Sequence, residues 1–395
     1  MEPRTVSGEA SLEPAAPGAE ENAYAGGFYR FYRGLLERLL RFRVIVTLAA
    51  VAAILLGGWV AGQLVREFFG PSTDRNQFLV YIDRPAGDRI AATDETVQRL
   101  IAWLSNKEIN PEITDTIAYV GSGGPRFFLV LAPVQPNPHV AFLVVDTELA
   151  GQVPEVMQRL RRHLLEEVPE AAGRVKQMWM GSSEPGFLEI RLIGPDAEYL
   201  YEQGNRLVDG LRAMPGTLDV RGDWENKVLK ARVQVDQVRA RRAGVTSRDI
   251  ALWLKANIDG VDVTEYREGD VAIPVIARSV EAHRTGFGDL WNAKVTSSRT
   301  GEVVPLTQVA DIEVDWDFYR VSRRNQERCF TVEVKHETLR APELLEATIP
   351  LIEDLKLAPA YRWEVGGELE RSAETMGKLM QWMPICVFGI AVLLI

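Results

Sequence analysis

The sequence predicts an α+β fold in which two ferredoxin-like subdomains of βαβ repeats carry a smaller inserted subdomain and are flanked by transmembrane helices. Three observations predict it. Strand-helix-strand units recur four times, a long stretch separates the third unit from the fourth, and each end of the chain holds an uncharged apolar run.

The first 27 residues carry five glutamates among Pro, Ala, Ser and Gly, a composition too poor in large apolar side chains to fold, and read as a disordered tail. Over 28–43, Phe28, Phe31, Tyr32, Leu35, Leu36, Leu39 and Leu40 recur at helical spacing with arginines between them. This pattern predicts an amphipathic interfacial helix; the other reading is the cytoplasmic end of one long membrane helix. The run 44–65 has no charge and is long enough at ~1.5 Å per residue to cross a hydrocarbon core about 30 Å thick. Arg30, Arg33, Arg38, Arg41 and Arg43 precede it, so the N-terminus is expected on the cytoplasmic side and the region after Arg66 outside. The run lies too far from the N-terminus for an ordinary cleaved signal peptide.

The outer region follows. Unit one opens at Phe78-Leu-Val-Tyr-Ile-Asp, turns Val97, Leu100, Ile101 and Leu104 inward and closes at Ile113 to Val120. Unit two opens at Ala141-Phe-Leu-Val-Val-Asp, continues through Val156, Met157, Leu160 and Leu164 and closes at Val175-Lys-Gln-Met-Trp. Unit three runs from Phe187-Leu-Glu-Ile-Arg-Leu-Ile through Leu200, Leu207 and Leu211 to Leu218-Asp-Val. Unit four runs from Phe330-Thr-Val-Glu-Val through Leu344, Leu345 and Ile352 to Tyr361-Arg-Trp-Glu-Val. Two units make one split βαβ sandwich, so units one and two form a contiguous subdomain, and the second is interrupted. The interruption has its own signals: a strand Leu229 to Val235, a helix from Ser247 to Asn257 started by Thr246 with Asp249 three positions on, a turn at Glu268-Gly-Asp and a strand Ala272 to Ala277. A last uncharged run, 376–395 from Leu379 onward, reads as the start of a second, truncated transmembrane helix.

Composition excludes some functions. The whole net charge of −10 belongs to the region after Arg66, which argues against nucleic acid as a partner. Cys329 and Cys386 offer no internal disulfide framework. His139, His163, His283 and His336 are too widely spaced for a metal site, and Gly121-Ser-Gly-Gly-Pro lacks the Lys-Ser/Thr ending of a phosphate loop. We therefore expect no catalytic residues, no metal, no cofactor and no enzymatic activity. The two apolar runs contain no ionisable residue, so no proton relay lies within this chain.

Several local phrases resemble the N-terminal portion of the resistance-nodulation-division (RND) efflux permeases, in the acriflavine-resistance, or hydrophobe/amphiphile, branch. They are Phe68-Phe-Gly-Pro-Ser-Thr-Asp-Arg-Asn-Gln-Phe, Gly124-Pro-Arg-Phe-Phe, Val233-Gln-Val-Asp-Gln, Ala243-Gly-Val-Thr-Ser-Arg-Asp-Ile, Tyr266-Arg-Glu-Gly-Asp-Val-Ala-Ile-Pro-Val, Glu302-Val-Val-Pro-Leu and Gly366-Gly-Glu-Leu-Glu. The resemblance implies porter subdomain 1 over 74–185, porter subdomain 2 over 186–229 and 289–372, and a docking subdomain over 230–288. It further implies a proton-driven antiporter of the bacterial inner membrane with its large domain in the periplasm. As a homotrimer with a periplasmic adaptor protein and an outer-membrane channel, it would export hydrophobic or amphiphilic small molecules from the periplasm or the inner-membrane leaflet. The alternative is a truncated, membrane-anchored periplasmic binding or assembly domain without transport of its own.

Four residues are candidates for substrate contact. Phe187 matches by position a phenylalanine that lines the pocket of related pumps, and reads equally as a core aromatic at a strand start. Met178 and Met180 share one strand face by period two, where soft thioethers suit an adaptable site or ordinary packing. Trp224, in Asp223-Trp-Glu-Asn, is expected in a turn with unusual exposure for an aromatic.

Overall fold

The computed structural model describes residues 27–64, 75–128, 131, 133–179, 184–280 and 288–394. The tail expectation and Met180 lie outside the described residues. The chain divides into two units at Phe68.

The first unit holds helices α1 (Gly27–Arg41) and α2 (Arg43–Leu64). α1 separates its charged and apolar residues onto opposite faces, whereas α2 is apolar all round. Among the described residues, no helix is long and apolar enough to cross a membrane. The spans expected over 44–65 and 376–395 fall on α2 and on the second half of the final helix, α11 (Glu368–Leu394).

The second unit begins with a βαββαβ sandwich: β1 (Gln77–Asp83), α3 (Ile90–Leu104), β2 (Ile113–Val120), β3 (Val140–Thr147), α4 (Val153–Glu167) and β4 (Ala172–Gln177). The sheet order is β2-β3-β1-β4, antiparallel throughout. Side chains alternate across a strand, so Phe78, Val80 and Ile82 pack with Ala141, Leu143 and Val145 beneath Val97, Leu100 and Leu104 of α3 and Val156, Leu160 and Leu164 of α4. Full burial of each large apolar side chain in this layer contributes roughly 1.5–3 kcal/mol.

The same plan repeats with β5 (Leu188–Gly194), α5 (Ala197–Arg212), β6 (Thr217–Gly222), β14 (Glu327–His336), α10 (Ala341–Asp354) and β15 (Arg362–Gly367). β14 and β5 are central, flanked by β6 and β15, with the two-residue β13 (Arg323–Arg324) on β14. Leu188, Ile190, Leu192, Phe330, Val332 and Val334 face α5 and α10. Phe330 lies so close to the backbone of α5 that a Cβ on Gly204 would stand 2.3 Å from its ring. Asp196 caps α5 by accepting from the backbone N–H of Tyr199. From β15 the chain passes directly into α11 (Glu368–Leu394).

Between β6 and β14 the chain leaves along β7 (Lys227–Val235) and returns along β12 (Ala310–Phe318), a two-stranded ribbon in register from Lys227↔Phe318 to Val235↔Ala310. At its far end α6 (Gln237–Arg242) and α7 (Ser247–Ile258) join a hairpin of β8 (Val261–Glu268) and β9 (Val271–Ala277), then α8 (Gly288–Trp291), β10 (Lys294–Thr296), β11 (Val303–Pro305) and α9 (Leu306–Val309). The Thr246–Asp249 capping box starts α7 as the sequence indicates. The boundary expected at 288/289 shifts. Ala293, Val295, Val304, Leu306 and Val309 close a core with Ala240, Val245 and Ile250, so residues 289–309 belong to the insertion and not to the second subdomain. The reason is register: only at Ala310 does the chain pair again with β7.

Candidate functional site, a charged cleft between two sheet faces

Each sheet has one face under helices and one face free of them, and the two free faces meet at a cleft of about 660 Å³. From the first sheet, Tyr81 and Asp83 of β1 and Arg174 and Lys176 of β4 reach it. From the second come Glu189 and Arg191 of β5, Arg221 of β6 and Glu333 of β14. The crossing segment supplies Glu184 and Phe187, and the first turns of α11 supply Glu370. Period-two alternation puts each of these strand residues opposite the apolar layer of its own subdomain.

The charges are arranged as chains of partners. Glu184 is buried and accepts from Lys176 Nζ of the first subdomain and Lys335 Nζ of the second, each at 2.7 Å. Burial alone would raise its pKa, but the two ammonium groups outweigh that effect and hold it at about 2. Arg174 and Arg221 lie on either side of Asp83, at 2.7 and 3.9 Å, and Arg221 forms a bidentate pair with Glu333. Burial opposes the Glu333 carboxylate, yet Arg221 keeps its pKa below the usual range. Arg191 donates to Glu189 and to Glu370, whose other oxygen accepts from Arg324.

Two glycines make this geometry possible. A Cβ on Gly366 would stand 2.4 Å from the Arg191 guanidinium, so only glycine lets the arginine lie across β15. Gly367 has φ +74, and a side chain there would meet the Phe187 carbonyl at 2.5 Å. The turn it makes brings the backbone N–H of Glu368 to that carbonyl at 2.9 Å and the Glu368 carboxylate to the N–H of Gly186 at 2.6 Å. The start of α11 is thereby fastened to the segment joining the two subdomains.

Aromatic rings line the remaining wall. Phe187 is half-buried with Lys176 Nζ 5.2 Å from its ring centroid, and Tyr81, with Arg174 4.9 Å from its centroid, is buried enough that its hydroxyl pKa is pushed up to about 12. Trp179 also faces the cleft, and its indole N–H is buried with no acceptor among the described residues. At one end of the cleft further contacts pin the subdomains together. Asn226 donates to the Ala86 carbonyl and accepts from the Ala86 N–H, and Tyr319 Oη donates to Asn137 Oδ1 at 2.6 Å. His139 Nε2 lies 2.8 Å from Glu225 Oε2, in contact but out of hydrogen-bonding alignment.

Among the described residues singled out from sequence, Phe187 reaches the cleft as a side chain and Met178 and Trp224 do not. Met178 is 2% exposed and packs with Leu79, Leu131 and Phe142 on the free face of the first sheet. Trp224 corrects the expectation of an exposed turn aromatic. It is fully buried against Phe318 and Phe330 and donates to the Cys329 carbonyl at 2.8 Å, because the turn after β6 folds back under the sheet. The sequence reading missed Glu184, Lys176, Arg191, Arg221 and Glu333. For Arg191 and Glu333 the signal was present as charge alternating with apolar residues in Leu188-Glu-Ile-Arg-Leu and Val332-Glu-Val-Lys, which also describes a plain solvent face. Among the described residues, no group of three or more His, Cys, Asp or Glu is placed to hold a metal ion.

Comparison with known proteins places the chain. The model of the AcrB/AcrD/AcrF family matches residues 19–395. The cation efflux system protein CzcA of Alcaligenes sp. (strain CT14) is 22% identical over 384 residues, covering 92% of this chain and 35% of that protein. The cobalt-zinc-cadmium resistance protein CzcA of Cupriavidus metallidurans matches to the same extent. The chain thus spans about a third of the length of the curated relatives it matches. Among solved structures, a heavy metal efflux pump in its first crystal form has a TM-score of 0.66 at 19% identity, covering 91% of this chain and 38% of that one, a likeness of fold. The relatives' names carry metal efflux and not the hydrophobe/amphiphile branch that the local phrases imply.

Proposed function

The chain belongs to the AcrB/AcrD/AcrF family, and from that premise we propose that it is the N-terminal, substrate-handling portion of a proton-driven RND exporter. On this reading α2 and the second half of α11 anchor it in the inner membrane, and the large unit stands in the periplasm. The inserted lobe is the docking element of a homotrimer that engages an adaptor protein and an outer-membrane channel. The proton relay belongs to helices outside this chain, since intramembrane ionisable groups are needed for one and 44–65 and 379–395 have none.

The observation that carries a solute-handling role is the cleft itself, where Glu184, Arg191, Arg221 and Glu333 are already engaged with partners while Phe187, Tyr81 and Trp179 line its wall. A ligand entering it gains from ring contact and from the Trp179 indole N–H, which has no acceptor among the described residues, and this suits an organic amphiphile with an acceptor group. A second reading, export of a divalent metal cation, is favoured by what the relatives' names say of them.

Growth of an efflux-deficient host carrying the complete gene, challenged with dyes and detergents on one side and zinc, cobalt and cadmium salts on the other, separates the two. Protection against dyes and detergents, reduced by Phe187→Ala, is expected. Protection confined to the metal salts replaces the first reading with the second, and protection against neither removes export altogether.

A further inference from the structure

We infer that α1 is a docking surface for anionic phospholipid, which fixes the entry helix at the negatively charged surface of the bilayer. The inference rests on the membrane-anchored reading above and adds the chemistry of the lipid.

α1 has two faces, and the described side chains on both are exposed. At 3.6 residues per turn, Arg33, Arg38 and Arg41 fall with Glu37 inside an arc of about 140°. Phe31, Tyr32, Leu35 and Leu39 fall inside about 100° on the other side of the helix. All these side chains are exposed: Phe31 by 70%, Tyr32 by 53%, Leu35 by 43% and Leu39 by 42%. A helix this short gains little stability in water from its own hydrogen bonds and needs its apolar face buried. The single acid on the polar face, Glu37, is within 3.2 Å of Arg33, so it is already engaged and the remaining charge is positive. α1 has no acidic residue in its first turn and two arginines, Arg38 and Arg41, in its last, immediately before the apolar α2.

These features select one occupant. A protein partner would cover one of the two faces, whereas a lipid surface meets both at once. The rings and leucines enter the headgroup boundary by roughly 5–10 Å while the guanidinium groups stay at phosphate level. Aromatic residues favour that depth. Charge complementarity then decides which lipid: a cationic polar face gains from an anionic leaflet and gains nothing from a zwitterionic one. Each unit of positive charge near such a surface contributes on the order of five-fold in partitioning, so the net two charges left after the Arg33–Glu37 pair amount to roughly thirty-fold, lost at high salt. The aliphatic stems of the same arginines cover part of the apolar boundary, but lysine supplies both stem and charge, so the preference depends on charge and not on the guanidinium plane.

The test uses the full chain with Cys329→Ser and Cys386→Ser, an environment-sensitive fluorophore on Leu35→Cys, and phosphatidylcholine vesicles with or without phosphatidylglycerol. With phosphatidylglycerol, the emission is expected to shift to the blue and to be quenched by a lipid-borne quencher. Without it, or in molar salt, the probe should report water. Replacing Arg33, Arg38 and Arg41 with Gln should abolish the difference between the two lipids, and replacing them with Lys should keep it. Equal emission in both lipids, or a headgroup preference that survives the Gln variant, overturns the inference while leaving the anchor in place. A chain that floats with neither vesicle removes the membrane reading itself, and this inference with it.

Discussion

The two subdomains share one topology and differ in what they do with the sheet face their helices leave bare. In the first, Leu79, Tyr81, Phe142 and Val144 make that face apolar, and Phe128, Leu131, Val134 and Met178 cover it as a second small core. In the second, the equivalent positions hold Glu189, Arg191, Thr331, Glu333, Lys335 and Arg221, joined in pairs across strands and to α11. The helix-covered faces are alike because any βαβ sandwich must bury one apolar layer. The free faces differ because they have different tasks. One closes its middle against its own loop and gives only the Tyr81–Asp83 and Arg174–Lys176 end to the cleft, and the other keeps a polar surface whose charges are oriented in advance.

If that contrast is right, the same kind of deletion should act differently on the two faces. The largest effect is expected from Phe142→Ala, which empties the middle of the first subdomain's second core and should cost about 3–5 kcal/mol in denaturant unfolding. On the second face, Glu333→Ala removes the bidentate partner of Arg221, leaving it with Asp83 at 3.9 Å, and should cost ~3 kcal/mol. Replacing both members, as Arg221→Leu with Glu333→Leu, should recover most of that loss, since desolvating the pair offsets much of its attraction. Failure of the double variant to recover would mean that the ion pair is there for stability, and the contrast between the faces would lose its functional sense.

An effect of opposite sign on two carboxylates is expected with pH. Glu184 has a folded pKa of about 2 against an ordinary 4.5, so its contribution is fully present above pH ~4.5 and is lost as the pH falls toward 2. Asp223, in the turn after β6, is raised by burial to about 6 from 3.8, against the N–H of Thr331 and the charge of Arg320. Its ionisation works against the fold, so stability falls as the pH rises from about 4 through 6. Taken over its whole titration range, each contribution is about 3 kcal/mol at most. Unfolding midpoints measured from pH 3 to 8 should therefore pass through a maximum near pH ~4–5 from these two groups. Asp223→Asn should flatten the alkaline side of that maximum, and Glu184→Gln the acid side.

Much of the fold was legible because it depends on local periodicity. The alternation in Phe78 to Asp83, the inward stripe Val97, Leu100, Leu104 and the capping pair Thr246 and Asp249 each specify an element without reference to the rest of the chain. The cleft was not legible, because its meaning lies in register. Glu333 is a solvent-face residue until β14 pairs with β6 and places Arg221 opposite it. Gly366 is one more residue of β15 until Arg191 lies across it. Trp224 misled because Asp-Trp-Glu-Asn has turn composition, and only the hydrogen bond to Cys329 reveals that the turn folds inward. Where the inserted lobe ends was hidden in the same way, in the pairing of Ala310 with Val235.

The smallest expected effect tests the limit of the contrast, because not every charge on the second sheet belongs to the cleft. Arg362, on the edge strand β15, holds Glu327 in a bidentate pair and also reaches Glu364, which looks on paper as strong as the Arg221 pair. Its side chain is half exposed, as is that of Glu327. An exposed pair gains little Coulomb energy in water and gives up side-chain freedom to hold its geometry. Arg362→Gln is therefore expected to leave the unfolding midpoint and its pH profile unchanged, whereas Arg221→Gln shifts both. Equal shifts for the two variants would show that the polar face acts as one uniform charge lattice, with no distinction between its exposed edge and the cleft.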